Sequence, residues 1–525
     1  MALSQIQLKR LTAIHGWSAV VLGLLLYAVI ATGAVAVFAA EIGRWSAGAV
    51  RVSPPLDQPL DAVIRRLATQ LDDPAQLEEI GIWGAEGPDF FAFFHMQAEN
   101  PDTGAQDDFG RIFRVDGTSG AVLGQQDGFV WHHPAAWDSS ALRRFLVDLH
   151  VRLYLPEPWG LVVTGILGLM MMAAVVSGVL IHRHVIRDLF VAERPGGRLA
   201  GARDRHVLAA SWSLPFAFLL AFTGSFFSFA SSIGFPLVAA VAFGGDQGQM
   251  SATLFEPQVP EDATPLATAS LDAILADSRS HAPGPITFVD IARFDRADAR
   301  IHVWHDPAEG GMLYVTNVYD AHGRFLGRQA PIGTAPSAGG ALYGLMYPLH
   351  YGHFAGLASK ALWGALGVTL CHVVLSGLRM QVRRRQASPL WRGFGRVVQV
   401  AAYGLPFGMI ASAWAFFLTR PAGDPFRWTP IGFAIGAAIA IAIGLWQRDD
   451  AALHHVYGRL LGIACLLLPV LRVGTGGMDW ARATLESQSD VLTVDVLLLL
   501  AGVALLYHTR GERHDRPAMR PEPAE

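Results

Sequence analysis

Nineteen histidines stand against two cysteines in this chain of 525 residues, so imidazole is the chemistry-bearing side chain to follow. Four histidines fall at matched places. His15 precedes Thr32-Gly33 by 17 and 18 residues, and His206 precedes Thr223-Gly224 by the same 17 and 18. His150 lies 27 residues before Ser177-Gly178, and His350 lies 26 before Ser376-Gly377. Neutral imidazole is a good axial ligand for haem iron, and a helix bundle can hold the macrocycle between facing side chains. An antiparallel four-helix core would bring His15 and His206 together at one end and His150 and His350 at the other. Such pairs would suit two b-type haems that pass electrons across a membrane. Two other readings stay open. A histidine at a membrane interface can be a polar anchor bonded to backbone, and a set of histidines can carry protons in a transporter.

His372 has no twin. It sits inside an apolar run, in Cys371-His372-Val373, and could replace His15 or His206 as a ligand or hold a further haem. His353 is a possible substitute for His350. His182 and His184 lie among arginines and read as solvated. Trp131-His132-His133-Pro134 and the alternating His302 and His305 read as exposed surface, with contact to a metal substrate as the rival. His454-His455 read as part of a loop that could meet a donor. The two cysteines, Cys371 and Cys465, lie in apolar runs, which excludes a disulfide framework, a thiolate zinc site and an iron–sulfur cluster. No C-x-x-C-H, G-x-G-x-x-G, P-loop or H-E-x-x-H motif is present. Electrons, if used, must come from another protein or from a quinol.

The elements that must position these histidines are membrane helices. Charged residues make up only 16% of the chain, hydrophobic ones 52%, and the net charge of −4 invites no nucleic-acid partner. Eight apolar runs are long enough to span a bilayer: 17–38, 159–181, 207–230, 361–378, 397–419, 428–447, 456–471 and 491–508, the last holding Asp495. The segments 183–206 and 379–396 carry six arginines each. With Lys9, Arg10 and the C-terminal Arg510, Arg513, Arg516 and Arg520, they mark one side as cytoplasmic. Residues 1–40 then form the first membrane helix, 41–155 an external domain, 156–183 the second helix and 184–205 a cytoplasmic loop. Residues 206–243 hold the third helix, 244–352 a second external domain and 353–380 the fourth helix. A four-helix membrane region (396–508) and a cytoplasmic tail (509–525) complete the chain. In a bacterium this is an inner-membrane protein with both termini inside and both domains in the periplasm.

The external domains repeat as well. Leu60-Asp61-Ala62-Val63-Ile64 matches Leu271-Asp272-Ala273-Ile274-Leu275. Strand-like runs at 90–96 and 301–304 follow, then turns at 116–120 and 320–323. Each domain reads as one helix on a small antiparallel sheet. The fold class expected is a predominantly α-helical polytopic membrane protein with two small α+β external domains and an internal duplication of its first four spans. The last four spans show no partner.

The ordered set Leu11-x3-His15-x-Trp17, Thr32-Gly33, Asp148-Leu149-His150, Arg205-His206, Trp212, Thr223-Gly224 and Pro348-Leu349-His350-Tyr351-Gly352 resembles the PepSY-associated transmembrane family, over residues 8–385. That family includes iron-regulated membrane proteins and ferric-siderophore reductases, and the external domains look like PepSY domains. The resemblance implies two b-type haems with His15, His150, His206 and His350 as ligands. It also implies reduction of a periplasmic ferric siderophore to release ferrous iron. The donor is left open between quinol and a cytoplasmic reductase. This chain departs from the pattern in His372 and in its four extra spans. A membrane-anchored PepSY binding or regulatory module is the alternative from another functional class.

Overall fold

The computed structural model describes residues 4–48, 55–85, 87–102, 104, 106–135, 137, 139–182, 187–190, 198–255, 259–308 and 311–511. Residues 183–186 and 191–197 of the first arginine-rich segment, His184 among them, and Arg513, Arg516 and Arg520 lie outside the described residues. Among the described residues, eight helices are long and apolar enough to cross a membrane, so the chain is a multi-pass membrane protein by length and composition.

The chain begins with α1 (Gln5–Ala36), capped by a box in which Ser4 and Gln7 bond reciprocally. A short α2 (Ala39–Ala47) follows. After α3 (Asp61–Ala68) come four strands, β1 (Glu79–Gly84), β2 (Phe90–Glu99), β3 (Gln106–Val115) and β4 (Val122–Gly128). Then α4 (Ala141–Arg152) precedes α5 (Trp159–Ile181). The second half runs through α6 (Arg198–Phe229), α7 (Phe235–Ala242), α8 (Gln247–Phe255) and α9 (Leu271–His281). Its strands are β5 (Ile286–Ala292), β6 (Arg300–His305), β7 (Val315–Asp320) and β8 (Phe325–Arg328), followed by α10 (Ala338–Tyr351) and α11 (Gly356–Arg384). The C-terminal region is α12 (Pro389–Thr419), α13 (Pro425–Trp446), α14 (Asp450–Gly474), the short α15 (Trp480–Leu485) and α16 (Ser489–Gly511).

The two sheets expected from the sequence are not separate. β1 pairs antiparallel with β5, Ile80 opposite Ile291 and Ile82 opposite Val289. One eight-stranded sheet results, in the order β4-β3-β2-β1-β5-β6-β7-β8. Joining the strands removes two exposed edges that separate four-stranded sheets would leave unpaired. Helices α3 and α9 lie on one face, where Leu60, Ile64 and Leu67 of one half and Leu271, Ile274 and Leu275 of the other share a single core with the strands.

The matched Leu-Asp-Ala motifs explain how the two halves meet. Neither helix caps itself with a side chain at Leu60 or Ser270. Instead the Asp61 carboxylate accepts from Leu271 N at 3.0 Å, and the Asp272 carboxylate accepts from Leu60 N at 2.6 Å. Each half thus caps the other half's helix. Asp272→Ala is expected to cost about 1–2 kcal/mol, the upper range for a lost cap. Denaturant unfolding of the intact protein checks this, and a midpoint unchanged from wild type would refute the reciprocal cap.

Four membrane helices form a ring: α1 packs on α5 and α11, and both of these pack on α6. Leu26, Leu167, Met171, Phe216, Ala217 and Leu370, drawn from all four, close its centre. A second group, α12, α13, α14 and α16, abuts the ring through α11 and α12. Its sheet-side end is tied by a fully buried ion pair, Arg472 to Asp495 at 2.7 Å. The indoles of Trp45 and Trp480 also donate to Asp495, at 2.7 and 2.8 Å.

Candidate functional site

All four matched histidines stand on ring helices or on the short helices that lead into them. His15 is on α1 and His206 on α6, near the helix ends remote from the sheet. The sheet-side histidines do not lie on membrane spans. His150 is on α4, and His350 is on α10, which ends where Gly352 takes φ +72°. A Gly-rich turn then starts α11 afresh at Gly356, so the continuous helix from His350 to Gly377 that the spacing allowed is not formed. The turn folds His350 back over the ring. His15 and Gly33 on α1, and His206 and Gly224 on α6, are each 18 residues apart, about 27 Å of helix, which nearly spans a hydrocarbon core of ~30 Å.

Small pairs such as Thr-Gly and Ser-Gly let helices approach closely. Their role here is more specific: each holds one histidine. His150 Nδ1–H donates to Val29 O at 2.9 Å, and its ring lies over Gly33, where a Cβ would come within 2.7 Å of Cε1. His350 Nδ1 bonds Thr223 Oγ1 at 2.8 Å, and its ring lies by Gly224. His15 Nδ1 bonds Ser177 Oγ at 2.9 Å. His206 Nδ1–H is shared between Val373 O and Ser376 Oγ, both at 3.0 Å.

Two of these contacts decide the tautomer. The carbonyls of Val29 and Val373 can only accept, so His150 and His206 carry the proton on Nδ1 and keep the lone pair on Nε2. Ser177 and Thr223 have backbone acceptors at 3.1 and 2.8 Å for their own hydroxyl hydrogens, which leaves their oxygens able to accept from His15 and His350. A second-shell acceptor on one ring nitrogen is the arrangement that orients a metal-ligating histidine.

Each pair is brought to one end of the ring of helices. His150 and His350 have ring centres 6.2 Å apart and planes at 28°. Two imidazoles bound to one metal ion by bonds of about 2.0 Å place their ring centres roughly 6 Å apart, so the spacing fits one shared ion. His15 and His206 line a common cavity with walls from α1, α5, α6 and α11 and no charged side chain. Among the described residues no group of three or more His, Cys, Asp or Glu is placed to hold a metal ion. Two imidazoles are few for a bare ion, but they are what a porphyrin leaves vacant, since it fills four positions itself. The donor set and the apolar walls fit haem.

The other histidines separate from this frame. His372 is exposed on α11 and does not line the cavity. One residue is about 100° of helix, so while Val373 O faces His206, His372 points out of the ring. It is not brought to either pair. His353 sits in the turn after α10, where Tyr314 meets its Nδ1 at 3.1 Å. His182 lines the inner cavity rather than lying in solvent. His302 and His305 are buried, not exposed. His305 bridges Gly284 O and Ser278 Oγ, both at 2.8 Å, and burial holds it below its ordinary pKa. His132 and His133 are exposed and meet Asp107 and Asp102. His454 and His455 lie within α14, not in a loop.

Sequence reasoning missed one further feature. On the sheet face opposite α3 and α9, Phe91, Trp83, Phe288 and Trp304 stand directly across from one another on β2, β1, β5 and β6. Trp131 stacks on Trp83 at 5.5 Å. Trp131 O accepts from Arg144 on α4 at 3.2 Å, six residues before His150. The aromatic row therefore leads toward the sheet-side pair. Alternation of aromatics with core residues in each strand was the available signal, but the row exists only because β1 pairs with β5.

Comparison with known proteins shows the family of the chain. The model of the PepSY-associated TM region matches residues 12–384. The uncharacterised protein PA4219 of Pseudomonas aeruginosa is 26% identical over 389 residues, covering 69% of this chain and 93% of its own.

Proposed function

The chain belongs to the PepSY-associated TM family, and from that premise we propose that it is a haem-bearing inner-membrane reductase that delivers electrons to a periplasmic ferric chelate of the siderophore class. The observation that carries this reading is that all four histidines are held through Nδ1 and stand in two pairs, His150 with His350 and His15 with His206. Independent interface anchors have no need to pair at two matched levels.

On this reading His150 and His350 hold one haem b and His15 and His206 the other. Each bound haem would supply a one-electron carrier at its level of the membrane. The protein's own residues do the rest. Thr223, Ser177, Ser376 and the Val29 and Val373 carbonyls orient the imidazoles and raise their basicity. Gly33 and Gly224 leave room for the sheet-side rings. The core residues between the pairs exclude water. The arginine-rich helix ends orient the His15–His206 level to the cytoplasm and the sheet to the periplasm. The two halves, with a hydroxyl-glycine pair beside each histidine, are read as a duplication. The aromatic row would let a ferric chelate settle beside α4. Reduction there frees iron, because ferrous ion binds hard oxygen chelators weakly.

Proteoliposomes loaded with dithionite inside and given a ferric siderophore outside test the activity. Ferrous iron should accumulate in an external trap, and a yield no higher than from protein-free vesicles would reject the reductase reading. Thr223→Val probes the support of one ligand. His350 stays but loses its acceptor, so haem should be lost to a scavenger about 10–100-fold more readily. Retention equal to wild type would remove Thr223 from the site.

A further inference from the structure

Across α11 from the His15–His206 cavity lies a second hollow of about 770 Å³, within the range of small-molecule sites. Arg379 and Val382 line it, whereas Gly377, Met380 and Gln381 of the same helix line the histidine cavity. One helix, about 10 Å across, divides the two. The hollow's other walls come from α12, α14 and α16, and they carry Gln399, Tyr403, Asp450, His454 and His508. These helices lie beyond the family match, which ends at 384.

The floor of the hollow is a cluster of aromatic and imidazole groups. Tyr403 and His454 are hydrogen-bonded. Tyr457 stacks on Tyr403 at 5.4 Å, and the His508 ring meets His454 edge-on at 5.4 Å. Tyr403 lies six residues inside the apolar run 397–419, His454 precedes the run 456–471 and His508 closes the run 491–508, so the floor lies at the edge of the apolar layer. Tyr27 Oη donates to Ala402 O, next to Tyr403, at 2.8 Å. Tyr27 is 12 residues beyond His15, about 18 Å further along α1 toward the sheet. The mouth, with Arg392 and Gln386, is at the opposite, arginine-rich end.

We propose that this hollow oxidises a lipid-soluble benzo- or naphthoquinol and so supplies the electrons of the reductase; the proposal rests on the reductase reading for its acceptor. A soluble anion could pair with Arg379 and Arg392 at the mouth, but it would meet the Asp450 carboxylate and the Tyr403 ring in the same hollow. A quinol has partners there. Its hydroxyls need hydrogen-bonding groups that can take protons, and its ring suits an aromatic floor. Oxidation breaks two O–H bonds. One proton passes to the Tyr403–His454 pair and the other to the Asp450 carboxylate, and both leave through the mouth. Two electrons cross α11 one at a time toward the His15–His206 pair. They end on two ferric ions of the chelate, which become ferrous while the quinol becomes quinone.

The test uses the full-length protein in nanodiscs with decyl-ubiquinone and decyl-ubiquinol as probes. Titration calorimetry should show saturable binding of the quinone. Ala451→Trp, which fills the hollow, should weaken it by at least about tenfold. Tyr403→Phe removes one hydrogen-bonding group but keeps the ring and the shape, so quinone binding should weaken by less than about tenfold, the cost of one hydrogen bond. The variant's haem should be reduced by the quinol about 100-fold more slowly, the loss expected when a proton-accepting group is removed, with dithionite-reducible haem unchanged. Absence of quinone binding, equal binding by Ala451→Trp, displacement by inorganic phosphate, or an unchanged rate in Tyr403→Phe would each overturn the proposal. Colourless protein that still bound the quinone in an Ala451-dependent way would refute the reductase reading and leave the quinone site standing.

Discussion

His350→Ala should halve the haem content, from two haems per chain to about one, and should cut ferric-chelate reduction by more than about 100-fold, beyond the cost of losing a supporting partner. The size of the effect follows from the geometry. His350 faces His150 at 6.2 Å between ring centres, and its Nδ1 is hydrogen-bonded to Thr223. Without it a single imidazole remains at the sheet-side level. The remaining haem, at His15 and His206, would still be reduced but would have no carrier between it and the substrate. His150→Ala should behave alike. His372→Ala should leave the haem content unchanged, because that side chain points out of the ring. His353→Ala should do so as well, because its partner is Tyr314. Pyridine haemochrome quantification of each purified variant checks the set. Full haem content in His350→Ala would refute the ligand assignment.

The second large effect concerns stability. Asp495→Ala should cost about 3–5 kcal/mol, because breaking a buried ion pair strands the remaining charge. Arg472 is 0% exposed and Asp495 1%. Loss of the carboxylate leaves the guanidinium with Met478 O as its other bonded partner, and it deprives two buried or half-buried indoles, Trp45 and Trp480, of their acceptor. Because Trp45 belongs to α2, the damage should spread from the C-terminal helices to the link behind α1. Thermal unfolding in detergent reads the loss. A change of less than about 1 kcal/mol, the range of an exposed pair, would show that this network does not hold the two regions together.

Much of the site was legible because its chemistry repeats. The hydroxyl-glycine pairs recur at the same spacing from His15 and His206, and nearly the same spacing from His150 and His350, and those are the four residues that the fold brings together. What the spacing could not show was direction. His372 is one residue from a backbone carbonyl that faces the core, and a phase of about 100° sends it outward. The break between α10 and α11 depends on positive φ at Gly352 and Gly356, which a run of apolar residues hides. The joined sheet depends on pairing between β1 and β5, some 200 residues apart in sequence, and no local pattern specifies which edge meets which. Asp495 looked like a flaw in the last span until Arg472, two turns of chain and a helix away, supplied its partner. The same holds for Tyr403 and His454, which gain meaning only when α12 and α14 are laid side by side.

The most direct test of the account is the haem stoichiometry of the wild-type protein purified from haem-replete cells. A pyridine haemochrome assay should give two b-type haems per chain, with a Soret band that shifts on reduction by dithionite. Protein that is folded, full-length and free of haem would contradict the assignment of His15, His206, His150 and His350 as two ligand pairs.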